Sequence, residues 1–267
     1  MQWRGLALAG GLSAASTFSA VAAMVPIPVS GFNQDIIVDT GAAAPQNVVT
    51  ATMDDGTVQT GGLFTGNTWY QVGYNTAAPA TGLPAGVVTV SAADPTVTFR
   101  LAPANGNNAL MLDTTGSGAS GSLVLTAPAR YTALTVLTST GNGAGTLIPT
   151  LHYSNGAADK TLATITSGDW FGGSPVAYTG SGRVDVSDGS FNSVGTDNPR
   201  IYQVNIDLAG QGADQNPISS ISFAFTGSDP NTHTAIYGLS GSAVPEPGSV
   251  GVLGLLLGAA LTRRSRE

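Results

Sequence analysis

The chain contains no cysteine, and charged residues make up only 9% of its 267 positions. The absence of cysteine excludes disulfide bridges, thiolate zinc sites and cysteine nucleophiles. The charged fraction is well below the quarter that is usual in globular proteins, so uncharged polar residues must supply most of the polar surface. No apolar stretch reaches the roughly 18 residues of a typical spanning helix, so the interior is not expected to be membrane.

Glutamate is missing from residues 24–243, which carry fourteen aspartates and five cationic side chains, for a formal net charge of −9. An acidic surface repels phosphate backbones, so nucleic acid is not an expected partner. Aspartate caps turns through its own backbone, whereas glutamate mainly favours helices. The use of aspartate without glutamate is therefore typical of a protein with many short loops.

The N-terminus has the layout of a secretory signal. Arg4 is followed by uncharged apolar and small residues over 5–21, and small residues lie at the cleavage positions of 20–23. This pattern predicts a signal peptide over residues 1–23. The alternatives are a disordered apolar terminus and a membrane anchor.

The C-terminus, residues 243–267, has three parts in order. The first is Val244, Pro245, Glu246 and Pro247, followed by fourteen uncharged residues and then Arg263, Arg264 and Arg266. As a helix, fourteen residues would cover about 21 Å, which is short of a ~30 Å hydrocarbon core. The arginines form a basic stop on the cytoplasmic side. A short, glycine-rich span of this kind is a marginal anchor, suited to a temporary hold.

This layout resembles the PEP-CTERM sorting signal of Gram-negative bacteria. The resemblance implies an exosortase, an integral-membrane cysteine transpeptidase, as partner, with Pro245, Glu246 and Pro247 as its recognition residues. It also implies a transient hold at the inner membrane, followed by the cell surface or the extracellular space. The alternative is an ordinary tail anchor that stays in place.

The remainder, residues 24–242, shows strand signals at short spacing. Ile221, Phe223 and Phe225 alternate with Ser220, Ser222 and Ala224, the pattern of a sheet packed on one side only. More than eight such runs separated by turn signals predict an all-β fold, an antiparallel β-sandwich or jelly roll. The runs are 47–53, 87–90, 96–101, 109–112, 122–126, 131–137, 145–153, 160–166, 201–208, 218–225 and 233–239. A division into two domains at residues 102–121 is the alternative.

Four short segments carry a second resemblance: residues 29–35, 139–143, 169–171 and 198–202. They look like a group of exported β-sandwich proteins, many of which end in PEP-CTERM. This likeness supports fold and location rather than function, and the further comparison with galactose-binding-like jelly rolls is an analogy about fold.

The carboxylates offer two candidate sites. Asp54 and Asp55 precede Gly56, so they are either turn residues or half of an acid–base pair or cation site. Asp185, Asp188 and Asp197 share a loop-like stretch and could bind a structural calcium ion, although their spacing does not match an EF-hand. The alternative for these three is that they are solvated turn residues. No other cofactor is expected.

The aromatic residues offer a candidate glycan contact at Trp69, Tyr70, Asp169 and Trp170. Aromatic rings stack on the C–H faces of sugars, and a neighbouring aspartate can accept hydrogen bonds from sugar hydroxyls. The alternative is that Trp170 and Phe171 close one end of the core. Arg183 and Arg200 are expected to pair with Asp169 or Asp197.

No catalytic constellation is visible in the sequence. His152 and His233 both lie in strand-like runs, and no Gly-x-Ser-x-Gly elbow in a strand-to-helix context accompanies them. The sequence therefore predicts a non-enzymatic surface or extracellular-matrix protein, with exopolysaccharide as the expected ligand. The alternatives are a glycan-active hydrolase that uses aspartates, and a scaffold component that has no small ligand.

Overall fold

The computed structural model describes residues 23–39, 45–74, 82–84, 86–114, 118–192 and 194–244. The predicted signal peptide lies outside the described residues except for Ala23. Of the predicted sorting tail, only residues 243 and 244 are described. The structure therefore bears on residues between the two predicted terminal segments.

The described residues form twenty strands and one 3-10 helix, Pro45–Asn47. The strands are β1 (Val25–Ile27), β2 (Val29–Ser30), β3 (Ile37–Val38), β4 (Gln59–Thr60), β5 (Leu63–Phe64), β6 (Asn67–Tyr70), β7 (Val88–Val90), β8 (Thr98–Arg100), β9 (Leu110–Asp113), β10 (Ser120–Ala129), β11 (Tyr131–Gly141), β12 (Gly145–Tyr153), β13 (Lys160–Thr161), β14 (Ile165–Ser167), β15 (Val176–Thr179), β16 (Arg183–Asp185), β17 (Phe191–Asn192), β18 (Arg200–Asp207), β19 (Ile218–Gly227) and β20 (His233–Ala243).

Two six-stranded antiparallel sheets make up the sandwich. The central sheet has the order β1-β20-β11-β18-β15, and β9 also pairs with β20. The open sheet has the order β13-β12-β19-β10-β2, and β14 also pairs with β12. The chain crosses from one sheet to the other between β10, β11 and β12, and again between β18, β19 and β20. The predicted all-β sandwich is confirmed.

The alternating residues of the open sheet place the main core between the two sheets. Ile221, Phe223 and Phe225 of β19 are buried there, while Ser222 and Ala224 point to the other face, which no second layer covers among the described residues. Period-two alternation in the sequence reflects this one-sided packing. The open sheet therefore presents a broad polar face.

The central sheet, in contrast, is buried on both faces. Alternate residues of one strand enter different clusters: Val136 joins the main core and Leu137 joins a second core on the opposite side. The second core is covered by a four-stranded sheet of order β17-β16-β6-β3 and by the hairpin β7–β8. One-sided packing thus describes the open sheet, but it is wrong for the central sheet, where β11 and β20 are buried almost throughout.

The predicted strand at residues 47–53 is wrong. Residues 45–47 form the 3-10 helix, and the following backbone bonds irregularly, with Thr50 and Ala51 donating to Asp35 and Met53 donating to Asn67. The β-favouring composition is overridden by packing onto the central sheet, since Ala51 and Met53 belong to the second core.

The long stretch at residues 102–121 does not separate the strands into independent sheets. Strands β1 and β9 from the N-terminal half pair with β20, and β2 pairs with β10. Within the described part of the chain, no helix has the length and apolar character needed to cross a membrane.

Candidate functional site

A groove of about 800 Å³ opens where several strands of the central sheet end. It is called the acidic groove here. Its lining is Asp54, Asp55, Val58, Asp113, Asn142, Asp229, Asn231 and His233. Its polar side chains come from three turns, the end of β9 and the start of β20.

The first turn, residues 52–56, positions Asp54 and Asp55. Thr52 and Gly56 exchange two backbone hydrogen bonds, and Gly56 has φ +60°, the left-handed conformation that glycine accepts. The Thr52 hydroxyl oxygen also accepts from the Asp55 backbone N–H at 3.1 Å. The predicted turn is confirmed, and it projects both carboxylates toward the groove.

The second turn joins β11 to β12 and carries Asn142. Its φ of +59° is the only left-handed value outside glycine among the described residues. Asn142 Nδ2 donates to the backbone oxygen of Asp54 at 2.6 Å and to that of Asn231 at 3.3 Å. This one side chain therefore connects the second turn to the other two.

The third turn joins β19 to β20 and supplies Asp229 and Asn231, and His233 is the first residue of β20. Asp229 Oδ1 accepts from the Asn231 backbone N–H at 2.8 Å, which closes the turn. The His233 ring is buried, with Nε2 2.8 Å from the Met53 carbonyl oxygen and Nδ1 3.0 Å from the Asn231 carbonyl oxygen. Both ring nitrogens face backbone acceptors, so the ring fixes the groove wall and is not placed to act as a general base.

The strand register brings the fourth carboxylate to the groove. Asp113 ends β9 and lies directly opposite His233 of β20. It is buried, and the Thr57 hydroxyl lies 3.4 Å from its Oδ2. Four carboxylates thus line the groove, which makes it strongly negative.

One cation partly offsets this charge. Arg183 Nη1 donates to Asp54 Oδ1 at 3.1 Å, and its guanidinium lies 5.0 Å from the Phe171 ring centroid and 5.6 Å from that of Trp170. Arginine is suited to this position because its planar group can stack and pair at once. The expected pairing of Arg183 with Asp169 or Asp197 is corrected to Asp54. Arg200 instead donates to the backbone oxygen of Phe171 at 3.0 Å.

The predicted glycan contacts at Trp69, Tyr70 and Trp170 are corrected by their burial. Each side chain is at most 2% exposed, so no ring face is open to a sugar. Trp69 and Trp170 meet edge to face at 5.8 Å, and Trp69 Nε1 donates to the Tyr237 hydroxyl at 2.8 Å. The alternative interpretation of Trp170, as part of the core, matches the structure.

Asp169 is likewise occupied in holding loops together. Its Oδ2 accepts from the Gly143 backbone N–H at 2.8 Å, and its Oδ1 accepts from that of Phe171 at 2.9 Å. Asp169 therefore supports the second turn of the acidic groove from behind rather than lining the groove.

The predicted calcium ligands do not converge. Asp185 Oδ1 accepts from the Ser187 backbone N–H at 2.9 Å, and Asp188 Oδ1 accepts from that of Ser190 at 2.8 Å, so both cap their own turns. The hydrogen bond from Ser190 lowers the pKa of Asp188. In the described ranges, no three histidine or carboxylate side chains are grouped as metal ligands would be, so the expected site at Asp185, Asp188 and Asp197 is not formed.

Sequence reasoning found Asp54 and Asp55 but missed the rest of the groove. Asn142 and Asp229 each lie in a turn between two strong strand runs, which was a usable signal. Nothing local indicated Asp113, because its position in the groove depends on the β9–β20 register.

Comparisons with known proteins add little. No protein-family model and no curated protein matches the chain. A solved variant of CBM29-2, described as a family 29 carbohydrate-binding module, is similar over 66% of this chain and 91% of its own, with 15% identity and a TM-score of 0.28. A second family 29 variant covers 61% of this chain and 84% of its own, again with 15% identity and a TM-score of 0.28.

A structure titled PfGH50B is similar over 53% of this chain and 21% of its own length, with 13% identity and a TM-score of 0.28. Likenesses this weak carry no argument about function.

Proposed function

We propose that this chain is an exported surface or extracellular-matrix protein that binds exopolysaccharide at the acidic groove. The observation that carries the proposal is the groove itself, an opening of about 800 Å³ lined by carboxylate and amide side chains on three interlocked turns. Carboxylate oxygens accept hydrogen bonds from hydroxyl groups, and amides both donate and accept. A neutral, hydroxyl-rich polymer offers the matching groups without the charge repulsion that an anionic one would meet.

The role proposed for the groove is binding rather than turnover. General acid–base chemistry needs a group that faces the substrate and can exchange a proton with it. The His233 ring is held by two backbone carbonyls, and Asp54 is paired with Arg183. Asp55 accepts a hydrogen bond from the Thr65 hydroxyl, and Asp229 accepts one from the Asn231 backbone N–H of its own turn.

A glycan-active hydrolase is the second candidate, because four aspartates converge on one opening. Two of them would have to flank a glycosidic bond as acid and base or nucleophile. Release of reducing sugar from the bound polymer, abolished in both Asp55→Asn and Asp229→Asn, would favour this candidate over binding alone.

Binding is tested by co-sedimentation of the purified chain with insoluble neutral polysaccharide. Replacing Asp229 by Asn and Asn231 by Ala together should reduce the bound fraction at least about tenfold, since several polar contacts are lost at once. The control is Asp197→Asn, which removes a charge from an exposed position outside the groove. Equal binding by both variants and the wild type would exclude the groove as the site.

We also propose that export and sorting follow from the two ends. The supporting features are the apolar N-terminal run, the Pro245-Glu246-Pro247 motif and the basic stop at Arg263, Arg264 and Arg266. Cells that carry an exosortase should release a chain whose C-terminus lies near the motif. A variant with alanine at all three motif positions should remain in the inner-membrane fraction at full length, as measured by fractionation and mass spectrometry. An intact wild-type chain in the cytosol would refute this proposal.

A further inference from the structure

The uncovered face of the open sheet carries a hydrogen-bonded chain of serine, histidine and aspartate. His152 Nε2 lies 2.8 Å from Ser222 Oγ, and His152 Nδ1 lies 2.9 Å from Asp159 Oδ2. Ser222 and His152 are on the adjacent strands β19 and β12, and Asp159 lies just before β13. His152 and Asp159 lie on either side of the turn between β12 and β13, but Ser222 is 70 positions away from His152, so only the sheet pairing brings the serine to them.

The order of the atoms is the one that acyl-transfer chemistry requires. The nitrogen that contacts the serine is Nε2, and the nitrogen that contacts the carboxylate is Nδ1, as in serine hydrolases on unrelated folds. With the Nδ1 proton held by Asp159, Nε2 can accept the proton of Ser222. His152 is 35% exposed at its side chain, so a substrate can reach it.

A shallow depression of about 270 Å³ lies beside Ser222. Ile148 and Ala224 give it an apolar wall, and Thr150 and Ser122 give it hydroxyl groups. Its size suits a short acyl group rather than a long chain. No charged side chain lines it.

The same two hydroxyls flank the serine. Ser122 and Thr150 lie directly opposite Ser222 on its two neighbouring strands, where opposing Cβ atoms are about 4.5–5.5 Å apart. The backbone N–H groups here belong to the sheet ladder, so the donors that can stabilise an oxyanion are the side-chain hydroxyls of Ser122 and Thr150. The Thr150 hydroxyl also lies 3.1 Å from that of Thr161, so it can donate to an oxyanion while it accepts from Thr161. Side-chain donors of this type serve that role in other acyl-transfer sites.

We propose that Ser222, His152 and Asp159 form a hydrolytic site for short-chain acyl esters carried by a hydroxyl-bearing polymer. Ser222 Oγ attacks the ester carbonyl carbon while His152 takes the hydroxyl proton. The bond to the alcohol oxygen breaks, that oxygen receives the proton from His152, and the acyl group stays on Ser222. Water then attacks the acyl-serine, passes a proton through His152 to Ser222 and releases the carboxylic acid.

The identity of the alcohol as polysaccharide rests on the proposed function, whereas the serine chemistry does not. The two are therefore tested separately. Cleavage of the small ester p-nitrophenyl acetate and labelling by a fluorophosphonate test the serine chemistry. Acetate release from acetylated xylan tests the substrate class, and co-sedimentation through the acidic groove tests binding.

The full chain should take one fluorophosphonate adduct, located at Ser222 by peptide mass spectrometry. Ser222→Ala and His152→Ala should each lose the label at least about tenfold, and Asp159→Asn should slow p-nitrophenyl acetate cleavage by about ten- to a hundredfold. The matched control is Ser220→Ala, an outward serine of the same strand, opposite His152 in register, which should behave as wild type. Circular dichroism and urea unfolding confirm that each variant is folded.

Three results would overturn the proposal: no adduct on the wild type, equal labelling of Ser220 and Ser222, or ester cleavage unchanged in folded Ser222→Ala. The last result would mean that an imidazole alone attacks the ester. Label at Ser222 without acetate release from xylan would overturn the assigned substrate class, whatever the co-sedimentation result.

Discussion

The Asn142 side chain donates a hydrogen bond of 2.6 Å to the backbone oxygen of Asp54, 88 positions away in the sequence. Asn142 also has a left-handed backbone, φ +59°. Left-handed residues other than glycine cost energy and persist where the surroundings require them. Here the requirement is that one amide reach two neighbouring turns of the acidic groove.

Asn142→Ala should therefore lose more stability than Asn142→Gly. Alanine removes the hydrogen bonds and keeps the unfavourable φ, with an expected loss of about 2–3 kcal/mol. Glycine removes the same bonds but accepts the conformation, so about 1 kcal/mol is expected. Urea unfolding measures both, and a glycine variant less stable than the alanine variant would contradict the assignment.

Gly141, the preceding residue, allows β11 to approach the first turn closely. A side chain there would overlap the Met53 carbonyl oxygen and come within 2.7 Å of His233 Nε2. Gly141→Ala should lose about 2–3 kcal/mol because a backbone atom and a buried ring must both move. Gly106→Ala, which meets nothing within 4 Å, should change stability by less than about 0.5 kcal/mol. Equal thermal midpoints for the two variants would refute the close approach.

The long strands of the sandwich could be predicted from the sequence because each has a regular environment. The short edge strands β1, β2 and β15 were missed, and the single run predicted at 160–166 is divided into β13 and β14. β19 faces the core on one side and solvent on the other, so its residues alternate, and the predicted run at 218–225 lies within Ile218–Gly227. The layer over the central sheet could not be predicted in this way. Trp69 and Trp170 meet there across about a hundred residues, and no local period records such a contact.

Three of the four segments that carry the family-like resemblance prove to be one structural unit. In segment 139–143, the Gly143 backbone N–H donates to the carboxylate of Asp169, in segment 169–171, at 2.8 Å. In segment 198–202, the Tyr202 hydroxyl donates to the Asp169 carbonyl oxygen at 2.7 Å. These residues therefore hold neighbouring loops together behind the acidic groove. Of the aspartates that line the groove, the sequence singled out only Asp54 and Asp55, as turn residues or half of an acid–base pair or cation site, since turn chemistry is local and strand register is not.

The burial of Trp170 leads to a prediction about stability. Trp170 packs against Trp69 and Phe171, and the Arg183 guanidinium lies over its ring. Trp170→Ala should lose about 3–5 kcal/mol. Val124→Ala, at a side chain that is 47% exposed, should stay within about 0.5 kcal/mol of wild type. Full stability in Trp170→Ala together with lost polysaccharide binding would instead restore the predicted glycan contact.

Asp35 should make the protein more stable as the pH falls from about 6 to about 4. Burial raises the pKa of Asp35 to about 6, and the repulsion of Asp39 adds to this effect, whereas hydrogen bonds from Asn108 and Ile37 oppose it. The folded carboxyl keeps its proton to a higher pH than the unfolded one, whose pKa is about 3.9. The stabilisation is therefore complete below about pH 4 and lost as the pH rises through about 6.

Asp35→Asn removes this dependence while its amide oxygen can still accept from Asn108. The free energy of unfolding of the variant, relative to wild type, should rise by about 1–2 kcal/mol between pH 4 and pH 6.5. Asp188→Asn provides a control of opposite sign. The Ser190 backbone hydrogen bond lowers the pKa of the exposed Asp188, so its contribution is lost as the pH falls. Urea unfolding at half-unit pH steps measures both, and parallel curves for wild type and Asp35→Asn would show that the Asp35 carboxyl is solvated like an ordinary surface acid.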